Sequence, residues 1–372
     1  MAEIITHVGI DAHKQTLFVA RLVGAEATPV TWQVAHEPRA LRRLQRQLER
    51  DAPGPVRCCY EAGPCGYALQ RALTRGRVSC DVIAPALIPR KPGDRIKTDR
   101  RDARKLAELW RAGLLTVVHP PTPAEEAVRD VARARDDARE DLLRARHRLS
   151  KLLLRHGLAY ARRHWTKAHR AWIDQLDWAQ PAERFVVEDY LLAIDHLDAR
   201  LIEFDARLAA IATTDPYRER VGCLRCFRGI DTLTAMLILA ELQDLRRFPS
   251  ARALMAYLGL VPSERSSGAQ QQRGRITRAG NPLVRRLLIE SAWHYHHRPG
   301  VGAALRRRRE GQPPRVIAVA DKAQQRLCRR FQRLLAERKP AAKVVVAVAR
   351  EFAGFLWAAL QGPTCDARPV RG

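Results

Sequence analysis

Acidic side chains are scarce in this sequence. Among 372 residues, 40 are Asp or Glu against 66 Lys or Arg, a formal net charge of +26. That imbalance excludes a cationic partner and predicts a polyanionic one, with nucleic acid as the default and a membrane surface as the competitor. Long apolar runs are missing as well, so no stretch suits a spanning helix. The N-terminus lacks the basic-then-apolar layout of a signal peptide. A cytoplasmic, bacterial-style protein with no membrane attachment is expected, on the nucleoid when DNA is bound. The 8 cysteines suit reduced thiols rather than a disulfide scaffold. Cys223 and Cys226 form one CxxC, and no second CxxC or close His pair completes a zinc site. No nucleotide-binding P-loop is evident.

What is present divides into regions. A hydrophobic content of 46% over this length supports two or three domains. Residues 1–119 read as three strands, a helix, a strand, a helix, a strand and a helix starting at Asp99. A meander followed by αβ units predicts a mixed sheet covered by helices, an α/β domain. Residues 120–215 carry two heptad seams. The first runs from Ala124 through Leu142 and Leu149 to Leu152, broken once by Arg135. The second runs from Val187 through Leu201 to Ile211. The seams can pair with each other or across a dimer. Between them, Trp165, Trp172 and Trp178 alternate with basic residues, either as core or as platforms for bases.

Residues 216–361 read as mainly helical. RGIDTLTAMLILAEL looks like the turn and second helix of a helix-hairpin-helix, where helix N-terminal amides meet phosphate, although Asp231 stands where a second glycine is usual. VPSERSSGAQQQRGRITRAGN follows as a polar loop, and residues 362–372 as a disordered tail.

Four acids stand out against the basic background. Asp11 ends the first apolar strand and Glu61 ends the strand VRCCYE. Asp99 and Asp102 stand three residues apart, on one helix face, among Lys97, Arg100 and Arg101. Converging carboxylates raise one another's pKa unless a cation lies among them, and Mg²⁺ takes such oxygen ligands. Two such ions can serve phosphoryl transfer, with the basic neighbours holding the phosphate backbone. Taken singly, Asp99 reads as an N-cap and Asp102 as an acid at N3 that favours the helix dipole. Ser266 and Ser267 precede Gly268, with Arg273, Arg275 and Arg278 nearby. Serine among arginines binds phosphate, or attacks phosphorus when activated. No His-Asp pattern for a hydrolase triad is visible.

GIDAHK, YEAG, the run from APALIPRKPGDR to IKTDRRDARKLAEL, and FRGIDTLTAMLILAEL through AYLGLVPSERSSG to ITRAGNPLVRRLLIESAW resemble the IS110-type transposases, particularly their IS1111-like branch. The resemblance covers nearly the whole chain. It implies a RuvC-like, RNase H-type N-terminal domain whose DEDD tetrad is Asp11, Glu61, Asp99 and Asp102. It implies Mg²⁺ as cofactor. It also implies a C-terminal catalytic serine that becomes linked to DNA, with Ser266 at the first-serine position of the motif. Further implied are homodimers or homotetramers built through a helical coiled-coil middle, and a structured noncoding guide RNA that selects donor and target DNA. A structure-specific nuclease of the Holliday-junction-resolving type, a site-specific DNA invertase and a non-enzymatic nucleic-acid binder are the competing functions.

Overall fold

The computed structural model of the protein describes residues 3–89, 98–267 and 270–362, without the side chains of residues 265–267, 270, 271 and 273. Lys97 and residues 363–372 of the expected tail lie outside the described residues. The chain forms two compact units, Met1–Pro121 and Thr122–Gly372.

The first unit is built on six strands, β1 (Thr6–Ala12), β2 (Thr16–Val23), β3 (Val30–Ala35), β4 (Val56–Glu61), β5 (Val78–Ile83) and β6 (Val117–Val118). Their order is β3-β2-β1-β4-β5-β6. Strands β1, β4 and β5 are parallel, and β2, β3 and β6 run antiparallel to their neighbours. The mixed sheet read from the sequence is present. The two-residue β6 is too short to carry a period, so only its pairing with β5 reveals it.

Helices α1 (Pro38–Asp51) and α2 (Ala68–Leu73) cover one face of the sheet. Leu41, Leu44, Leu48, Leu69 and Leu73 pack there on Val8, Ile10, Leu17, Val19, Tyr60 and Val82. Helix α3 (Asp99–Arg111) covers the other face, setting Ala103 and Ala107 on Ala20 and Leu22, and Leu106 on Cys59 and Ile83. Central strands buried on both sides explain the nearly continuous apolar runs of β1 and β4. Gly9 decides how closely α3 approaches. A Cβ there would lie 2.3 Å from the Ala103 carbonyl oxygen and 2.3 Å from the Ala107 amide nitrogen. Helix backbone therefore rests directly on strand backbone.

Thr98, in extended conformation, caps α3 and accepts a hydrogen bond from the Arg101 amide at 3.4 Å. This corrects the capping role read for Asp99. Asp99 is the first helical residue and Asp102 the fourth, so neither carboxylate is committed to the cap.

The second unit begins with α4 (Pro123–Arg155), α5 (Lys167–Asp174) and α6 (Pro181–Ile211). Thr122 and Glu125 close a capping box at the start of α4, with bonds of 3.2 and 2.9 Å. The two seams pack on each other within the chain: Leu142, Leu149 and Leu152 meet Val187, Leu191 and Ile194. The Arg135 break is answered from α6 by Asp205, bonded at 2.9 and 3.4 Å. Trp165, Trp172 and Trp178 pack half-buried against this cluster, the core alternative rather than an open stacking platform.

The remaining elements are α7 (Arg218–Arg225), α8 (Thr232–Leu242), α9 (Ala251–Tyr257), β7 (Pro262–Ser267), β8 (Gln270–Ile276), α10 (Pro282–Ala292), α11 (Ala303–Arg309), α12 (Pro314–Ala336) and α13 (Ala341–Ala359). Helix α8 is central, with every residue from Ala235 to Leu242 buried. The Gly229 turn before it has φ +83°, and a Cβ there would lie 2.6 Å from the Ser291 carbonyl oxygen. The Asp231 carboxylate accepts from the Thr234 amide at 2.7 Å. In the helix-hairpin-helix-like element the glycine thus serves internal packing, and the acid fills the anion position at the start of α8. The polar loop expected after Val261 is instead an antiparallel ribbon, β7–β8, with Ser266 opposite Gln271 and Ser267 opposite Gln270. Its polar residues present no apolar alternation, so period-two analysis passes over it.

One buried charge ties these helices together. Glu241 on α8, its side chain 2% exposed, receives Arg133 of α4 at 2.7 and 3.0 Å and the Asn281 amide at 2.7 Å. Arg129 of α4 lies 3.9 Å away. Removing one partner of such a group leaves uncompensated charge in the interior. Glu241→Ala is expected to lower unfolding free energy by about 3 kcal/mol, read as a shifted urea midpoint. An unchanged midpoint would show that water replaces the carboxylate without cost.

Candidate metal and nucleic-acid site

Three side chains converge at the carboxyl end of β1. One ligand atom each from Asp11, His13 and Asp99 lies within 4.8 Å of the others, the one such grouping of three among the described residues. His13 Nε2 lies 3.2 Å from Asp11 Oδ2 and 3.4 Å from Asp99 Oδ1. The local chain explains the arrangement. Asp11 alternates with Gly9, so it emerges on the face that α3 covers. His13 opens the turn into β2, where its amide donates to the Thr16 carbonyl at 2.9 Å. His36 Nδ1 lies 2.7 Å from the His13 carbonyl oxygen and braces the same turn. The close crossing at Gly9 brings the first turn of α3, and with it Asp99, to this strand end.

Glu61 ends β4 beside it. Ile10 pairs in parallel register with Tyr60, so Asp11 and Glu61 are each one step further along adjacent strands. Ligand sites in open α/β sheets gather at such carboxyl ends. Glu61 is exposed and lies outside the Asp11–His13–Asp99 triangle, as does the half-buried Asp102. Burial pushes the Asp11 carboxyl above the usual carboxylate range, and His13 pulls it back. Asp99 and, to a lesser extent, Asp102 push it up again. The two carboxylates of the set suit a hard divalent cation, which relieves their mutual repulsion, and His13 adds an imidazole nitrogen between them.

Among the basic residues expected here, Arg100 and Arg101 are exposed on the first turn of α3, and the Arg100 Nε donates to the Thr31 hydroxyl at 2.8 Å. Ser266 and Ser267 stand at the β7 end of the ribbon, with Arg273 on β8; the three side chains lie outside the described ones. Arg275 and Arg278 are exposed, and Arg278 has φ +56°. Its amide donates to the Gly259 carbonyl at 3.1 Å. Burial, then the charge of Arg278, lowers the pKa of nearby Arg285.

Sequence reasoning missed His13 as a site residue. The signal was in GIDAHK, where a histidine follows the first carboxylate by two positions. Alternation alone would set the two on the same side only if the strand continued, and it turns there instead.

Comparison with known proteins identifies the family. A DEDD-type IS110 family model described as a transposase matches residues 8–157, and one described as the IS116/IS110/IS902 transposase family matches residues 222–304. A putative transposase of Sinorhizobium fredii, y4qE, is 41% identical over 321 residues, covering 86% of this chain and 78% of its own length. The transposase for insertion sequence element IS1533 of Leptospira borgpetersenii is 37% identical over 341 residues, 90% of this chain and 97% of that protein. The transposase for IS1111A of Coxiella burnetii is 26% identical over 199 residues, 53% of this chain and 54% of that one. With two relatives this similar over most of their length, the chain belongs to the IS110/IS116/IS902 family of insertion-sequence transposases, enzymes that act on DNA.

Proposed function

We propose that this transposase cuts and rejoins DNA with Mg²⁺ held by Asp11, Glu61, Asp99 and Asp102, and with Ser266 as the covalent nucleophile. The convergence of Asp11 and Asp99 around His13, with Asp102 one turn along the same helix as Asp99, carries the reading. The strand order β3-β2-β1-β4-β5 with an antiparallel β2 supports an RNase H-like, RuvC-like assignment of residues 1–119. Residues 120–215 then form the helical linker through which homodimers or homotetramers assemble, and residues 216–361 the serine-bearing transposase domain. A structured noncoding RNA chooses the donor and target DNA.

When bound, Mg²⁺ supplies charge neutralisation and Lewis acidity at a phosphate. The acids would hold it, and Arg100 and Arg101, exposed on the first turn of α3, would take the DNA backbone. Ser266 Oγ bonds to phosphorus as the P–O3′ bond breaks, and the freed 3′ oxygen takes a proton. Attack on the phosphoserine by a 3′ hydroxyl reverses the exchange, so rejoining needs no nucleotide hydrolysis.

Trapping the reaction on labelled DNA and sequencing the modified peptide tests this. A 5′-phosphoserine at residue 266 is the expected product. Adduct at Ser267 moves the nucleophile by one residue. Full recombination by a Ser266→Ala, Ser267→Ala double variant sinks the covalent reading, and cleavage with no adduct favours a water-using nuclease of the resolvase type.

A further inference from the structure

The exposed face of α12 carries a row of like charge that the site above does not use. Lys322, Arg326, Arg329 and Arg333 recur at intervals of four, three and four residues, so they form one stripe along the helix. With Arg330 they line a cleft of about 390 Å³, whose other lining residues are Gln325 and Glu351. A second cleft of about 580 Å³ shares Gln325 and Arg329 and extends to His296, His297 and Arg298.

A solvated helix face ordinarily mixes signs through pairs one turn apart. Here four successive stripe positions hold cations, and the acid one turn beyond them, Glu337, lies 3.7 Å from Arg333. The lining carboxylate, Glu351 of α13, is 18% exposed and holds two guanidiniums, Arg326 Nε at 3.0 Å and Arg330 Nη1 at 3.0 Å. It fixes their direction, and together with Glu337 beside Arg333 it removes two units of charge from five.

We infer that the α12 stripe is a DNA-binding surface that holds the sugar-phosphate backbone of a duplex. The reading rests on the DNA-acting role of the family. Eleven steps of about 1.5 Å rise, from Lys322 to Arg333, give a stripe about 16 Å long. Phosphates of one DNA strand advance about 3.4 Å each along the duplex axis, so the stripe runs along several consecutive phosphates. Guanidinium offers paired donors to phosphate oxygens, and Gln325 adds an uncharged donor. A surface of this kind positions DNA and reads no sequence.

The test uses the full chain and fluorescence anisotropy with a labelled B-form duplex across a salt series. A single-stranded RNA of equal length forms the second arm. Arg326→Gln, Arg329→Gln and Arg333→Gln together should lower duplex affinity at least about tenfold at low salt. The log–log salt slope should become shallower by about 3, near 0.9 per lost phosphate contact. The Arg326 and Arg333 side chains are 62% and 64% exposed, so unfolding is not expected. A Lys322→Gln, Arg329→Gln variant leaves both Glu351 pairs intact and should lose about 2 in slope. Lysine at positions 326, 329 and 333 should keep the slope. An unchanged slope in the glutamine variants, a loss confined to RNA, or a lysine variant as impaired as the glutamine one would each overturn the inference. An unmodified chain that binds no duplex would fail at the level of the family role.

Discussion

A chain carrying Asp11→Asn should bind DNA as the unmodified protein does and cut at least about a thousandfold less of it, the scale of loss when a preorganised electrostatic group is removed. The amide keeps the shape of the side chain and removes the charge that a cation needs. Stability should respond in the opposite sense. Burial, Asp99 and Asp102 hold the Asp11 carboxyl above its unfolded value against the pull of His13. A carboxyl raised in this way favours the folded state at acid pH, and that contribution is lost as pH rises through the folded value. At neutral pH the ionised Asp11 therefore strains the metal-free protein, and asparagine should not lower the melting temperature. Added Mg²⁺ should raise the melting temperature of the unmodified chain and not that of the variant. An equal rise in both would take Asp11 out of the metal site.

Gly9→Val is expected to cost about 3 kcal/mol or more, at the upper end of overpacking effects. The atoms in its way, the Ala103 carbonyl oxygen and the Ala107 amide nitrogen, are backbone and 2.3 Å from the new Cβ. They cannot turn aside as a side chain would, so α3 must lift from the sheet. Asp99 and Asp102 lift with it. The variant should thus lose both urea stability and the Mg²⁺-dependent rise in melting temperature. A stable Gly9→Val protein with normal metal response would show that α3 is placed by its other contacts, Leu106 on Cys59 and Ile83.

Composition and periodicity determined a good deal by themselves. The excess of 66 basic over 40 acidic residues pointed to a polyanion, and the family agrees, since transposases act on DNA. The strand meander, the αβ alternation and the two long helices were legible because each buries a face, and burial imposes period 2 or 3.6 on the apolar residues. The motif blocks from GIDAHK to PSERSSG carried the family. Tertiary structure decided what depends on partners distant in sequence. That His13 stands between Asp11 and Asp99 follows from a helix resting on Gly9. Pairing of the seams with each other was one of two solutions that the heptads allowed equally. The β7–β8 ribbon has no apolar side to announce it, and Glu241 ends an otherwise apolar helix whose sequence says nothing of Arg133 and Asn281. The α12 stripe is written in the sequence at helical spacing, but its clefts and its Glu351 brace come from α13 packing alongside. A linear pattern records which residues share a face of one element, and only the packed chain brings the faces of different elements together.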